Sequence, residues 1–316
     1  MRRIIGIGET HYDIVFKNSQ PYKGYPSGFA FNSVISLGRL GLRPILISEV
    51  GNDFVGEIII NTLKENGVET ENMYRFYDAR SALNVTSTDE RDINHNIDKN
   101  QTSSYISYPS QRLDIVWPRI DPNDIVYFGS YFSLEASVRK YLIDIITYAI
   151  DRKSIIFYDV DFDKRHSKES VWLMPSIIEN LEFADVVLGT IDDFANIYKD
   201  SDIDKVYRNH IKFYCTNFIC INNAGDVILK SIKYNKEYNL TDTQKIISKS
   251  AKDAFYAGII YAFYLYKIEK ENLDLIDDNI WNKVIITGIG FVENVNNNKK
   301  QYITEKYATE LSVSVK

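Results

Sequence analysis

Lys252 and Asp253 stand side by side in "KSAKDAFYAGIIYAFYLY", where a short polar stretch runs into a long apolar one between Lys249 and Tyr266. The start of a helix carries unpaired backbone N–H groups and a partial positive charge, so it attracts anions. Small residues let a backbone come close to a phosphate, and an aspartate beside it can take the proton of a hydroxyl. Those are two of the needs of phosphoryl transfer to an alcohol. The pattern predicts a turn over Ser250, Ala251 and Lys252, with Asp253 opening the helix. Lys252 has two readings at this stage. Its ammonium adds positive charge near a transferring group, or it pairs with Asp253, lowers that carboxylate's basicity and blocks the pocket.

Further candidates follow other strands. Asp13 in "GETHYD" is either a solvated turn carboxylate or an acceptor for the vicinal hydroxyls of a polyol. "YPSGFAFNSV" offers Gly28, which lets a substrate approach the backbone, and Asn32, whose amide donates and accepts; a helix cap is the alternative for Asn32. Asp53 in "GNDFVG" also fits a helix cap. "FYDVDFDKR" sets Asp159 and Asp161 after a strand, oxygen groups suited to organising Mg²⁺, followed by a charged loop through Asp163, Lys164 and Arg165.

These groups need elements to position them. "RIIGIGE", "RPILISEV", "DIVYFGSYF", "SIIFYDVDF" and "ADVVLG" read as apolar strands alternating with amphipathic helices, which predicts a parallel sheet with right-handed crossovers. "FICINNAGDVILKSI" reads as strand, turn and strand. From about residue 71 to 117 helical spacing gives way to short strands and polar turns, so this segment predicts a β-rich lid. "ENVNNNKKQY" reads as a solvated loop. A chain of 316 residues with 45% hydrophobic and 25% charged residues can bury a sizeable core. A net charge of -6 argues against nucleic acid or an anionic membrane surface as partner. No apolar run is long enough to span a bilayer, and the first residues read as a core strand rather than a cleaved leader. With only Cys215 and Cys220, and four histidines without ligand spacing, neither a disulfide framework nor a structural zinc site is expected, which suits a cytoplasmic protein.

In their order and contexts, "GETHYD", "SGFAFN" followed by "LGRLG", "GNDFVG" and "SAKDAFYAG" resemble the PfkB (ribokinase-like) family of carbohydrate kinases over nearly the whole chain. The resemblance implies an α/β fold: one ribokinase-like three-layer α/β/α domain over 1–316, with a mostly parallel central sheet and the lid from about 71–117. It also implies an ATP-dependent kinase that moves the γ-phosphoryl group to a hydroxyl of a sugar or sugar-derived substrate, with Mg²⁺. Asp253 matches the family's base, and Ser250, Ala251 and Lys252 match its Gly-Ala-Gly anion hole. Asp13, Gly28, Asn32 and Asp53 match the sugar pocket, Asn222 and Gly225 the nucleotide turn. Thr190 and Asp193 stand where the family's asparagine and glutamate help hold metal and phosphate. A homodimer formed through the lid is a further implication. Departures cluster at the phosphate: Ser250 and Lys252 replace glycines, Asp161 replaces asparagine, and Ile247 and Ser248 replace an aspartate-threonine pair. They leave a second expectation open, a ribokinase-fold protein that binds sugar or nucleotide without efficient transfer.

Overall fold

Side chains two apart along a strand face the same way, so a strand apolar at every position needs cover on both faces. The computed structural model describes residues 2–87, 105–107, 113 and 117–314. The chain opens with β1 (Ile4–Ile7), β2 (Thr10–Lys17), β3 (Gln20–Gly28), α1 (Phe31–Arg39), β4 (Ile45–Gly51), α2 (Phe54–Glu65) and β5 (Met73–Phe76). Next come β6 (Ala82–Ser87), β7 (Tyr105–Ser107), β8 (Ile125–Gly129), α3 (Ala136–Asp151), β9 (Ile155–Asp159), α4 (Ser170–Phe183), β10 (Val186–Thr190), α5 (Ile191–Tyr198) and α6 (Ile203–Val206). It closes with β11 (Phe218–Ile221), β12 (Val227–Lys230), β13 (Asn235–Tyr238), α7 (Lys249–Leu265), α8 (Asp278–Asn298) and α9 (Glu305–Ser314).

The main sheet has the order β13-β12-β11-β10-β9-β8-β1-β4-β5, parallel from β5 to β11 and antiparallel over β12 and β13. Alternation sends Ile125 and Tyr127 of β8, and Ile155 and Phe157 of β9, into a core with α1, α2, α7 and α8. Their neighbours Val126, Phe128, Ile156 and Tyr158 enter a second core with α3, α4 and α5. The result is a three-layer α/β/α domain, as the motifs implied.

Helix α7 is buried at every residue from Ala251 to Phe263, which is why its sequence is apolar all round. A side chain at Gly258 would meet the Gly288 Cα at 2.6 Å, so this glycine lets α7 and α8 touch backbone to backbone. α7 does not open at Asp253. Ser248 caps it by accepting the Ala251 N–H at 3.1 Å, and Ser250, Ala251 and Lys252 form its first turn instead of a separate one. "ENVNNN" is helix as well: Val292 and Val295 are buried, and Asn296 donates to the carbonyls of Thr243 and Lys245.

A second sheet, order β3-β2-β6-β7, stands apart from the first and fits the expected lid. Its strands do not all come from 71–117. β5 extends the main sheet, while the antiparallel hairpin of β2 and β3 supplies half of the small one. Residues 88–104, 108–112 and 114–116 of the expected lid segment lie outside the described residues.

Candidate active site

The carboxyl ends of β1, β8, β9, β10 and β11 and the start of α7 converge, the position where open α/β sheets bind ligands. Asp253 lies in the first turns of α7, 7% exposed. Its Oδ2 accepts a hydrogen bond from Asn32 Nδ2 at 2.8 Å, and its carbonyl accepts from Ser33 Oγ at 2.9 Å. Asn32 is the second residue of α1 and equally buried, so two helices clamp the carboxylate. Burial raises the pKa of Asp253, while Lys249, Lys252 and the Asn32 amide hold it down. A carboxylate in that balance is a proton acceptor of raised basicity that remains ionisable.

The three residues expected as an anion hole are differently employed. The Ala251 N–H is taken by Ser248 Oγ, and the Lys252 N–H donates to the Ser248 carbonyl at 3.0 Å. Lys249 and Ser250 are the first-turn residues whose N–H groups precede the helical ladder. The Lys252 side chain does not pair with Asp253. Its Nζ donates to Asp161 Oδ1, lies 3.6 Å from Asp159 Oδ2 and sits 5.9 Å from the Tyr256 ring centre. Burial opposes the charge of Lys252, yet Asp159, Asp161, Asp193 and Asp253 together raise its pKa well above the usual lysine value. Burial pushes Asp159 up strongly, against the pull of Lys252; Asp161 resists its own burial and is held down by Lys252 and Lys249.

Asp13 is in mid β2 rather than in a turn. Its Oδ1 lies 3.4 Å from His11 Nε2 and accepts from Asn84 Nδ2 of β6. Against the effect of burial, those two neighbours hold Asp13 below the ordinary carboxylate range. Gly28 ends β3 at φ 151°, and a Cβ there would meet the Glu9 carbonyl at 2.2 Å, so the strand end passes the sheet only as glycine. Asp53 is a cap: Oδ1 accepts from the Gly56 N–H and the Ser81 hydroxyl, Oδ2 from the Ser81 N–H, each at 2.8 Å. It ties α2 to the segment leading into β6.

A cavity of about 520 Å³ opens at the start of α7, lined by Asp161, Thr190, Asp193, Asn222, Lys249 and Lys252 among others. Asn222 Oδ1 accepts the N–H groups of Ala224 and Asp226 and so shapes the turn between β11 and β12. Gly225 is left-handed in that turn, and its carbonyl accepts from Ile246, which brings the approach to α7 alongside. Thr190 and Asp193 form the capping box of α5: Asp193 Oδ2 accepts from the Thr190 N–H and hydroxyl, while Oδ1 accepts from the Phe162 N–H at 2.9 Å. Burial lifts the Asp193 carboxyl to about 6. Both oxygens are committed, Asp161 holds an ammonium, and no group of three or more metal-ligating side chains forms among the described residues. Thr190 and Asp193 thus act as the cap of α5 and form no dedicated cluster of metal-ligating side chains among the described residues.

Two groups escaped the sequence reading. Glu9 follows β1, accepts from Ser130 Oγ at 3.0 Å and is lifted by burial to about 7, with Lys249 pulling the other way. Lys249, one helical turn before Asp253, lines the cavity and makes no ion pair within 4 Å among the described residues. The signal for Lys249 is its four-residue spacing from Asp253; for Glu9 it is a carboxylate directly after the first core strand.

A model of the pfkB family carbohydrate kinases matches residues 1–265. A sugar kinase of Pyrococcus horikoshii, described as uncharacterized, is 25% identical over 206 residues, which span 60% of this chain and 62% of that protein. Its structure in complex with ATP aligns over 99% of this chain and 100% of the other, with a TM-score of 0.76 and 17% identity. The 5-dehydro-2-deoxygluconokinase of Clostridium perfringens is 22% identical over 279 residues, 82% of this chain and 78% of that one. A fructokinase from Vibrio cholerae O395 with fructose, ADP and potassium bound aligns over 95% of this chain and 94% of its own, TM-score 0.77 at 16% identity.

Proposed function

We propose, for a chain that belongs to the pfkB family of carbohydrate kinases, that it transfers the γ-phosphoryl group of ATP to a hydroxyl of a sugar or sugar-derived acceptor. One observation carries the reading: Asp253, buried and oriented by Asn32, shares the first turns of α7 with Lys249 and Lys252, which line the cavity. The acceptor lies between Asp13, Asn32 and the Gly28 backbone, and its hydroxyl faces Asp253. The proton moves to Asp253 Oδ as the oxygen attacks phosphorus in line. Asp13, held ionised by His11 and Asn84, accepts hydrogen bonds from acceptor hydroxyls. The N–H groups of Lys249 and Ser250 face the phosphates at the helix start. Asn222 borders the nucleotide, while Asp53 serves the scaffold.

ATP is the molecule bound in the Pyrococcus relative's complex, and the other relatives' names speak of sugars and a sugar acid derivative. Mg²⁺ belongs to this reading as an ion that would accompany the phosphates, with no protein ligand set assigned to it. The edge strand β3 is exposed from Gln20 to Gly24, which suits pairing of two lids in a homodimer. Both cysteines are buried and unpaired, in keeping with the cytoplasm.

A second reading has its own support. The N–H groups of Ala251 and Lys252 are committed within the helix, so a protein that binds ATP and sugar but transfers slowly is the alternative. ADP release over a panel of hexoses, pentoses, ketoses and nucleosides separates the two. Turnover on one acceptor supports the kinase; ATP binding without turnover on any supports the alternative.

A further inference from the structure

Transfer requires donors that meet the charge on the moving phosphoryl group. Two backbone donors of the first turn of α7 are already committed, and what stands at that place instead is an ammonium. We propose that Lys252 is a catalytic residue: its ammonium, docked on Asp161 and Asp159, moves to the transferring phosphoryl group and takes over the role of the committed N–H donors. This rests on the kinase reading above.

Three features of the geometry point this way. Lys252 adjoins Asp253 in sequence and lines the cavity, so one rigid helical turn carries both the proton acceptor and the cation. Asp161 adopts φ 35°, a left-handed conformation that costs a non-glycine residue about 1–3 kcal/mol, and from it the carboxylate reaches Nζ. Such strain is retained where something over-determines it, here a docking point for a buried cation. Finally, Asp161 and Asp193 on the wall would repel a polyphosphate, and Lys252 is the charge that offsets both. Lysine acts as a mobile point charge on a flexible stem, able to exchange a carboxylate for a phosphate oxygen by side-chain rotation alone.

The balance of the step is simple. A bond forms between the acceptor oxygen and the γ-phosphorus, and the bond from that phosphorus to the bridging oxygen of the leaving ADP breaks. The leaving oxygen keeps the electron pair, the hydroxyl proton passes to Asp253, and Lys252 keeps its proton throughout.

The bland alternative makes Lys252 a counter-ion that only stabilises Asp159 and Asp161. Calorimetric titration of AMP, ADP and a β,γ-methylene ATP analogue distinguishes them, using wild type, Lys252→Met and the charge-balanced Lys252→Met/Asp161→Asn, which guards against misfolding. The proposal expects both variants to lose roughly tenfold or more in affinity for the analogue, with AMP unchanged. It expects kcat in the double variant to fall roughly 10²–10³-fold, the scale of losing one transition-state donor, while the acceptor KM holds. A double variant with the wild-type ratio of analogue to AMP affinity, or with wild-type kcat, overturns it. A wild-type protein that binds none of the three nucleotides overturns the kinase reading itself and this inference with it.

Discussion

Replacing Asn32 by alanine removes the hydrogen bond to Asp253, the proposed base, together with the amide's proposed contact to the acceptor. Asn32 Nδ2 donates to Asp253 Oδ2 at 2.8 Å, and the two residues are 3% and 7% exposed, so water does not readily replace the lost donor. A hydrogen bond to a charged acceptor contributes about 1.5–3 kcal/mol. That stabilisation acts on the ionised carboxylate and opposes the upward push of burial. Without it the proton affinity of Asp253 rises, so on the acidic limb of the profile the ionised fraction, and kcat/KM with it, drops roughly ten- to hundredfold. The acidic limb of the pH–rate profile moves to higher pH for the same reason. Global stability changes less, because Asn32 Oδ1 is buried without a hydrogen-bond partner among the described residues and alanine removes that burden. The assay is kcat/KM against pH for wild type and Asn32→Ala on one acceptor. An acidic limb that stays in place, or moves to lower pH, refutes the coupling between Asn32 and the base.

Two further predictions follow from carboxylates with other duties. Glu9→Gln stabilises the protein increasingly with pH: the folded-state pKa is raised from 4.5 to about 7, so wild-type stability falls as pH climbs through that range. The variant's advantage in chemical denaturation grows from near zero at pH 4 to about 3 kcal/mol at pH 8, and a constant or shrinking advantage contradicts the reasoning. Asp53→Ala loses a helix cap and the anchoring of Ser81, about 1–2 kcal/mol by denaturant unfolding, with acceptor KM unchanged at a temperature where both proteins are folded. A raised KM without loss of stability returns Asp53 to the acceptor pocket.

Much of this arrangement is legible in the chain. The two-faced strands reveal their sheet because "IIFYD" and "IVYFG" are apolar at nearly every step, and a parallel sheet then fixes where the carboxyl ends lie. Asp253, Asn32 and Gly28 stand out by their places after a turn or at a helix start. The start of α7 is not legible in the same way: the helix is expected to open at Asp253, whereas Ser248 caps it five residues earlier by accepting the Ala251 N–H. The lid is misjudged at its origin: it is expected from 71–117 alone, yet β3 pairs along β2 with a bulge at Val15 and Phe16, and the two supply half of the small sheet. "ENVNNN" looks solvated by composition, although Val295 is buried and Asn296 donates to the carbonyls of Thr243 and Lys245. The pairing of Lys252 with Asp161, 91 positions apart, leaves no local trace.

On the kinase reading, Asp253 accepts the proton of an acceptor hydroxyl during transfer from ATP. Single-turnover transfer of labelled γ-phosphate to an identified sugar, in wild type and Asp253→Asn, tests it directly. Wild type yields labelled sugar phosphate, and the variant loses roughly 10²–10⁴-fold in rate with ATP and acceptor still bound. Transfer by Asp253→Asn at the wild-type rate would contradict it.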